Sequence, residues 1–254
     1  RSVLRREKRE VLTSLPEKTE IILKCPLSEQ QFTLYKTVLD ATKKGVMAGG
    51  QRNKLNILTA LLKLRQVCIH PGLLKEFEGA SIPSSKFEII QEKLTELMLE
   101  NHKVIVFTQF TKMLDILEKW LKSQNFYSER IDGSVTGKAR MSAVSRFQTS
   151  EKGGVFLVSL KAGGVGINLT AADYVIHLDP WWNPAIEAQA TDRVHRMGQK
   201  NKVIVYKMIS EGTIEEKIQQ LQEEKRQLLA QVVDLDSMQD KAINIDEIAS
   251  LILN

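Results

Sequence analysis

Apolar and polar residues alternate along most of the chain in blocks typical of strands followed by helices. From about residue 85 onward, short apolar runs are separated by stretches in which apolar residues recur every three or four positions. The pattern predicts strands at 104–108, 127–131, 155–158, 174–178 and 203–208, with helices before 104, at 112–122, 138–148 and 184–196, and from 213 onward. This alternation predicts an α/β fold in which helices cover both faces of a parallel sheet.

The first 82 residues follow a different, mostly helical pattern. An alternating segment at 20–25 predicts a short strand, and Ser28 with Gln31 has the spacing of a capping box at the start of a helix. Helices are predicted at 28–44 and 54–68, with glycines between them and a proline and glycine after the second. We therefore divide the chain into a helical region at 1–82, a sheet domain at 83–212 and a C-terminal helical extension at 213–254.

Composition and charge narrow the function classes only modestly. The chain is 43% hydrophobic and 26% charged, which is ordinary for a globular protein. It has no apolar run long enough for a membrane span and no signal-like start, so we expect a soluble intracellular protein without a membrane partner. The net charge of +5 permits a polyanionic partner. Cys25 and Cys68 lack metal-ligand spacing, so we predict two buried thiols and no metal site.

Candidate chemistry concentrates in the segments that follow the predicted strands, because ligands bind beyond the carboxyl ends of the strands in an open parallel sheet. The strand at 155–158 leads into a segment with three glycines at 163–166, whose backbone amides could approach an anion closely. Ser159 and Lys161 would add a hydroxyl group and a positive charge. A tight turn from strand to helix would explain the glycines equally well.

A second candidate site follows the predicted strand at 174–178. The predicted helix at 184–196 carries Arg193 and Arg196 three positions apart, on one helical face, with Gln189 one turn earlier. Planar guanidinium groups suit phosphate, although two arginines on one helix are more often a solvated surface.

These segments resemble the C-terminal RecA-like lobe of the Snf2 family of superfamily 2 helicase-like ATPases. KVIVFTQF at 103–110 resembles helicase motif IV, and RIDGSVTGKAR at 130–140 resembles the segment that follows it. SLKAGGVGINLTAADYVIHLDPWWNP at 159–184 is similar to motif V with its Snf2 extension, and QATDRVHRMGQ at 189–199 is similar to motif VI. RREK, VLTSLPEK and LRQVCIHP in the first 71 residues resemble the Snf2 linking region, although Ile69 stands where asparagine is usual.

The resemblance implies the second motor lobe of a DNA-dependent ATPase that translocates on duplex DNA and remodels protein–DNA complexes. It implies ATP and Mg²⁺ as cofactors, with the nucleotide held between this lobe and the N-terminal RecA-like lobe of the same protein. The residues that it assigns to the nucleotide are Gly164, Gly166, Asn168, Arg193 and Arg196. Gln189 would order the same surface, and the two arginines would reach the triphosphate.

The resemblance also implies double-stranded DNA as a partner, contacted through its backbone without readout of the bases. DNA-bound proteins would be further partners. The residues that it assigns to DNA are Gln109, Arg140, Ser159, Lys161 and Trp182. An exposed indole at Trp182, after an Asp-Pro turn, would pack on a sugar or a base. The expected location is therefore with DNA, in a nucleus or a nucleoid.

The phosphate loop and the acidic magnesium-binding motif of such an ATPase have no counterpart in the sequence. Residues 133–139 approach a phosphate loop, but they are one spacer residue short and end in alanine instead of a hydroxyl ligand. The acidic residues at 246–247 follow no hydrophobic strand and fit helix capping. Because the chain starts at Arg1, we expect an excerpt whose first lobe precedes it, and a lobe that is inactive alone.

Two alternatives remain open at the level of sequence. One is a non-catalytic nucleic-acid-binding or scaffold module that keeps the fold without a first lobe. The other is a lobe of an RNA-directed superfamily 2 helicase, against which the linking-region motifs and DPWWNP argue.

Overall fold

The computed structural model describes residues 15–48, 54–79, 82–160, 162 and 167–231. Its described strands are β1 (Lys18–Cys25), β2 (Lys103–Thr108), β3 (Ser128–Ile131), β4 (Gly154–Ser159), β5 (Tyr174–His177) and β6 (Val203–Ser210). They form one sheet in the order β1-β6-β5-β2-β4-β3, and all five neighbouring pairs are parallel. The predicted parallel α/β architecture is therefore confirmed.

Seven α-helices lie within the described residues: α1 (Glu29–Ala48), α2 (Lys54–Ile69), α3 (Ser85–Leu99), α4 (Thr111–Ser123), α5 (Gly137–Thr149), α6 (Pro184–Thr191) and α7 (Ile214–Gln231). Two short 3₁₀ turns, Pro71–Leu73 and Lys75–Phe77, follow α2. The predicted cap of α1 is present, because the Gln31 N–H donates to Ser28 Oγ over 3.2 Å. None of the described helices combines the length and the apolar character needed to cross a bilayer.

The central strands are apolar along their whole length because both faces of the sheet are covered. Val104 and Val106 of β2 point into a core formed with α3 and α4, and the alternate residues Ile105 and Phe107 point into a core formed with α5. All four side chains are fully buried. This arrangement explains why β2 and β4 read as continuous apolar runs and not as alternating strands.

The first strand belongs to the sheet although it lies within the predicted helical region at 1–82. Strand β1 pairs with β6 along its full length, from Lys18 opposite Val203 to Cys25 opposite Ser210. A third core, with Tyr35, Leu61 and Ile218 among its members, joins α1 and α2 to the start of α7. The predicted helical region and the predicted C-terminal extension therefore share a hydrophobic core.

Polar side chains connect α1 to the neighbouring helices. The Gln31 side chain donates to Val67 O over 2.7 Å and accepts from the Ser85 N–H over 3.2 Å. The Tyr35 hydroxyl accepts from the Ile214 N–H over 2.8 Å. These bonds use backbone groups at helix ends that would otherwise lack partners, and they join α1 to α2, α3 and α7.

The prediction of a helix at 184–196 is wrong at its end. Helix α6 stops at Thr191, and the chain continues in tighter turns, with the Arg193 N–H donating to Ala190 O and the Val194 N–H donating to Thr191 O. Two carbonyl oxygens of this segment accept from elsewhere: Arg193 O accepts from the Leu169 N–H, and Val194 O accepts from the Gln199 side chain. Arg193 and Arg196 therefore do not lie on one helical face.

Candidate functional site

The loops that leave β2 and β5 meet at the Asp179 carboxylate, whose residue is 1% exposed. Its Oδ1 accepts hydrogen bonds from the Thr108 hydroxyl over 2.6 Å and from the Gln109 N–H over 3.2 Å. Its Oδ2 lies 3.0 Å from Arg65 Nη2. One buried carboxylate thus joins the ends of two neighbouring strands to helix α2.

Arg65 links the Asp179 carboxylate to the segment that carries Trp181 and Trp182. It is 1% exposed, and its Nη2 also donates to Pro180 O over 2.6 Å. Its guanidinium carbon lies 4.7 Å from the centre of the Trp182 ring, which is a cation–π geometry. The expectation of an exposed Trp182 indole is wrong, because the ring is half-buried between Arg65 and the core of α1, α2 and α7.

Burial has the largest effect on the pKa values of Asp179 and Arg65. It raises the pKa of Asp179 to about 6, against the opposing effects of the Arg65 charge and the Thr108 hydrogen bond. Burial also lowers the pKa of Arg65, against the effect of the Asp179 charge. A second buried ion pair lies nearby: Lys86 Nζ is 2.5 Å from Glu215 Oε2 and donates to Leu178 O over 2.9 Å.

The sequence signals for these four charged residues differ. Arg65 and Asp179 stand in the LRQVCIHP and DPWWNP segments, but nothing in either segment indicates that they pair across 114 positions. Lys86 and Glu215 lie near the starts of amphipathic helices, where a charged residue normally faces water. Their burial could not be predicted from the local pattern.

Two of the predicted DNA-binding residues carry buried donors that lack a partner among the described residues. These donors are Gln109 Nε2 and Arg140 Nε. Arg140 stands in the first turns of α5, where its Nη2 lies 3.4 Å from Val135 O. Buried donors without acceptors are uncommon in folded proteins, so both groups suit a ligand that accepts hydrogen bonds, such as a phosphate.

The other predicted DNA-binding residues have different surroundings. Ser159 is buried at the end of β4, and its Oγ accepts from the Ala162 N–H over 3.3 Å, so the hydroxyl shapes the loop itself. Lys161 lies outside the described residues. The structure brings Gln109 and Trp182 together through Asp179 and Arg65, whereas Arg140 follows a different strand, β3.

The predicted nucleotide-binding segments of motifs V and VI lie against each other. Arg193 O accepts from the Leu169 N–H over 3.0 Å, immediately after Asn168, and the Gln199 side chain donates to Ala172 O over 2.8 Å. The side chains of Asn168, Gln189 and Arg196 are exposed, and Arg193 is half-buried. Gly164 and Gly166 lie outside the described residues.

The part of the chain that the structure describes contains no group of three metal-binding side chains. Cys25 and Cys68 are buried and form no disulfide, which confirms the prediction of two buried thiols. Burial raises the pKa of Cys25 to about 11, so its thiol stays protonated at neutral pH.

Comparison with known proteins agrees with this arrangement. A family model described as the helicase conserved C-terminal domain matches residues 85–198, and one described as the SNF2-related domain matches residues 1–73. The solved C-terminal domain of the Sulfolobus solfataricus SWI2/SNF2 ATPase is 36% identical, with a TM-score of 0.70, and the match covers 86% of this chain and 90% of that one. The chain belongs to the SWI2/SNF2 family.

Membership of the SWI2/SNF2 family confirms the RecA-like fold and the resemblance seen in the motifs. An uncharacterized ATP-dependent helicase of Mycoplasma genitalium is 39% identical over 251 residues, which are 98% of this chain and 24% of that protein. The Sulfolobus solfataricus SWI2/SNF2 ATPase core in complex with double-stranded DNA is 37% identical, with a TM-score of 0.73, and the match covers 89% of this chain and 48% of that one. The chain thus spans about a quarter of the length of this curated relative.

Proposed function

We propose that this chain is the second motor lobe of a DNA-dependent ATPase that translocates on duplex DNA and remodels protein–DNA complexes. The observation that carries the proposal is the joining of motif VI to motif V through the Arg193–Leu169 hydrogen bond. This bond fixes the arginine segment beside the segment of the glycine-rich loop, as a nucleotide site built from both motifs requires. Family membership supplies the ATPase context.

In the proposed enzyme, ATP and Mg²⁺ lie between this lobe and a first RecA-like lobe, which holds the phosphate loop and the magnesium ligands. Arg196 is exposed, so its guanidinium can approach a triphosphate on another lobe, with Arg193 beside it. Such arginines neutralise charge on the transferring phosphoryl group and contribute roughly 10³ to 10⁵ in turnover. Gln189 orders this surface, and Gly164, Gly166 and Asn168 contribute the loop that faces the nucleotide.

The proposed DNA contacts run along the segments that follow β2, β3, β4 and β5. The buried donors of Gln109 and Arg140 suit phosphate oxygens, and Lys161 adds a charge. Ser159 shapes the start of the segment after β4, and the part of Trp182 that remains exposed packs against the backbone sugars. Contacts to the DNA backbone carry no sequence information, which suits a motor that steps along any sequence. The DNA-bound Sulfolobus relative supports this assignment.

The decisive experiment uses the full-length protein that carries this chain and measures ATP turnover with and without duplex DNA. Arg196→Ala is expected to reduce DNA-stimulated turnover at least about a hundredfold, with little change in the affinity for ATP, because the first lobe holds most of the nucleotide. Arg196→Lys should rescue poorly, since an ammonium group lacks the planar fork. The matched control is Lys200→Ala, an exposed position four residues later, which should turn over like the parent.

Each remaining outcome of this experiment selects another interpretation. Turnover by Arg196→Ala at half the parent rate or more would overturn the role of Arg196, and a large loss of melting temperature would make the residue structural. Stimulation by RNA instead of duplex DNA would favour an RNA-directed helicase, and a parent without ATPase would favour a scaffold module. The 254-residue chain alone is expected to show no turnover, because both the phosphate loop and the magnesium ligands lie elsewhere.

A further inference from the structure

The Arg65–Asp179 pair connects two residues that the proposed function assigns to DNA. Asp179 accepts from the backbone of Gln109, and Arg65 lies under the ring of Trp182. Gln109 and Trp182 follow different strands, β2 and β5, so their relative position depends on what joins the two loops. Arg65 and Asp179 come from different parts of the chain and are both 1% exposed.

Stability alone is a poor explanation for this pair. Removing two charges from water carries a large desolvation cost, and a well-packed apolar pair of similar volume is often as stable or more stable. An ion pair with further hydrogen bonds fixes the orientation of the groups that it joins, whereas apolar packing does not. Asp179 Oδ1 receives two donors from the successive residues Thr108 and Gln109, and these bonds define the path of the loop after β2.

Arg65 fixes the orientation of the groups on its own side of the ion pair. A guanidinium group donates in its plane and stacks through its face, so one group can hold a carbonyl and an aromatic ring together. Arg65 Nη2 donates to both Asp179 and Pro180 O, and the Trp182 ring lies 4.7 Å away. The turn after β5 and its tryptophan are thereby held against the same carboxylate that holds the loop after β2.

We propose that Arg65 and Asp179 are positioning residues that hold Gln109 and Trp182 at a fixed spacing for engaging duplex DNA. They touch neither DNA nor nucleotide themselves. The inference rests on the proposed function and adds that helix α2, through Arg65, helps to set the spacing of two proposed DNA-binding residues. The second buried pair makes different contacts, since Lys86 donates to the carbonyl groups of Leu178 and Met208.

The test is the double variant Arg65→Met, Asp179→Asn in the full-length protein. This variant leaves the net charge unchanged, so long-range attraction to DNA is preserved, and it leaves no unpaired charge in the core. We expect the KM for duplex DNA in the ATPase assay to rise at least about fivefold while the KM for ATP stays within about twofold. A purely structural role would change both constants together.

The matched control is Arg146→Met, Glu129→Gln, the same chemical change at a pair in which Arg146 is exposed and Glu129 half-buried, with an Nε–Oε1 distance of 2.6 Å. It should leave the KM for DNA unchanged. Thr108→Val removes one hydrogen bond to Asp179 without changing any charge, and Arg65→Lys keeps the charge but loses the stacked fork. Both single variants should raise the KM for DNA in the same direction, which keeps the test usable if the double variant does not fold.

The outcomes separate this inference from the proposed function. A parent protein whose ATPase duplex DNA does not stimulate would overturn the proposed function and the inference with it. A stimulated parent, together with a double variant whose KM for DNA matches the parent, would overturn the inference alone. Equal increases in both KM values would likewise overturn it, and so would a parent-like KM for DNA in both Thr108→Val and Arg65→Lys when the double variant is unfolded.

Discussion

His177, at the end of β5, is held in its neutral form by burial. The residue is 1% exposed, its Nε2 lies 3.0 Å from Thr191 Oγ1, and its ring stacks on Phe107 at a centroid distance of 5.3 Å. Burial lowers the pKa of His177 to about 4, against the opposing effect of the Glu187 charge. The unfolded chain, with a histidine pKa near 6.5, therefore binds a proton at acidic pH that the folded protein excludes.

The sign of this effect follows from proton linkage. Because the folded pKa of His177 is depressed, its contribution to stability is lost as the pH falls from about 6.5 towards 4. Asp179 acts in the opposite direction, because burial raises its folded pKa and the folded state takes up a proton below about pH 6. Two residues separated by one position thus partly offset each other in acid.

Replacing His177 with glutamine should reveal the contribution of His177 to the pH dependence of the free energy of unfolding. The variant lacks the titrating group, so its free energy of unfolding, relative to that of the parent, is expected to rise by about 1–2 kcal/mol when the pH is lowered from about 7 to about 5. Urea unfolding of the purified chain at both pH values measures the difference. An identical pH dependence in parent and variant would show that burial does not control the His177 proton.

At the scale of single residues, the motifs assign candidate chemistry but do not predict geometry. Arg193 and Arg196 could be assigned to a phosphate site from their motif, but their placement on one helical face was wrong. Beyond Thr191 the chain follows tighter turns, and the carbonyl groups of Arg193 and Val194 accept from the Leu169 N–H and the Gln199 side chain, contacts that the local apolar pattern does not reveal. The burial of Asp179 with Arg65 was hidden for the same reason.

Among the elements, the turn from α5 into β4 is the most tightly constrained. The Gly153 N–H donates to Asn101 Oδ1 over 2.6 Å, and the Gly154 N–H donates to His102 O over 3.0 Å. A Cβ atom on Gly153 would lie 2.7 Å from the backbone carbon of Asn101 and 2.8 Å from His102 O. The backbone of this turn therefore lies too close to the turn before β2 to accept a side chain.

A pair of glycine substitutions tests this constraint. Gly153→Ala is expected to lower the free energy of unfolding by about 1–3 kcal/mol, because the new methyl group meets backbone that cannot move aside easily. Gly137→Ala, in the first turn of α5, meets nothing within 4 Å and should be neutral or stabilising by up to about 1 kcal/mol. Urea unfolding compares the two; equal stabilities would mean that the turn adjusts at little cost.

Periodicity predicted most of the elements because the central strands and covering helices bury regular faces. Periodicity could not predict the order of the strands in the sheet. Six α-helices and four strands separate β1 from β6, the last described strand in the chain, and the two strands still pair. Cys25 at the end of β1 packs in the core that also contains Leu94 of α3 and Val104 of β2, which are far from it in sequence, so no local pattern indicates the pairing.

At the scale of the whole molecule, the proposed function requires only part of a DNA-binding groove from this chain. Its net charge of +5 is modest, and a second lobe would supply the remaining contacts. The chain alone is therefore expected to bind duplex DNA weakly and without sequence preference. Each neutralised phosphate contributes a slope of about −0.9 in log K against log salt, so a few contacts should give a slope of a few units.

Two variants should separate charge from stacking in this binding. Lys161→Ala is expected to reduce the salt slope by nearly one, because it removes one phosphate contact, whereas Trp182→Ala should weaken binding with little change in slope, because an indole carries no charge. Fluorescence anisotropy of a labelled duplex between about 50 and 200 mM salt measures both effects. Lys119→Ala, at an exposed position on α4, is the control for the loss of one charge elsewhere.

The comparison of Lys161→Ala with Lys119→Ala decides between a localised contact and general attraction. A basic protein attracts DNA through its whole field, so equal effects of the two lysine substitutions would mean that no particular phosphate contact lies at Lys161. A larger effect at Lys161 alone would support a phosphate contact in the segment after β4. An affinity that does not depend on salt, or a strong preference for one DNA sequence, would contradict backbone tracking, since the phosphates that bind cations are the same in every sequence.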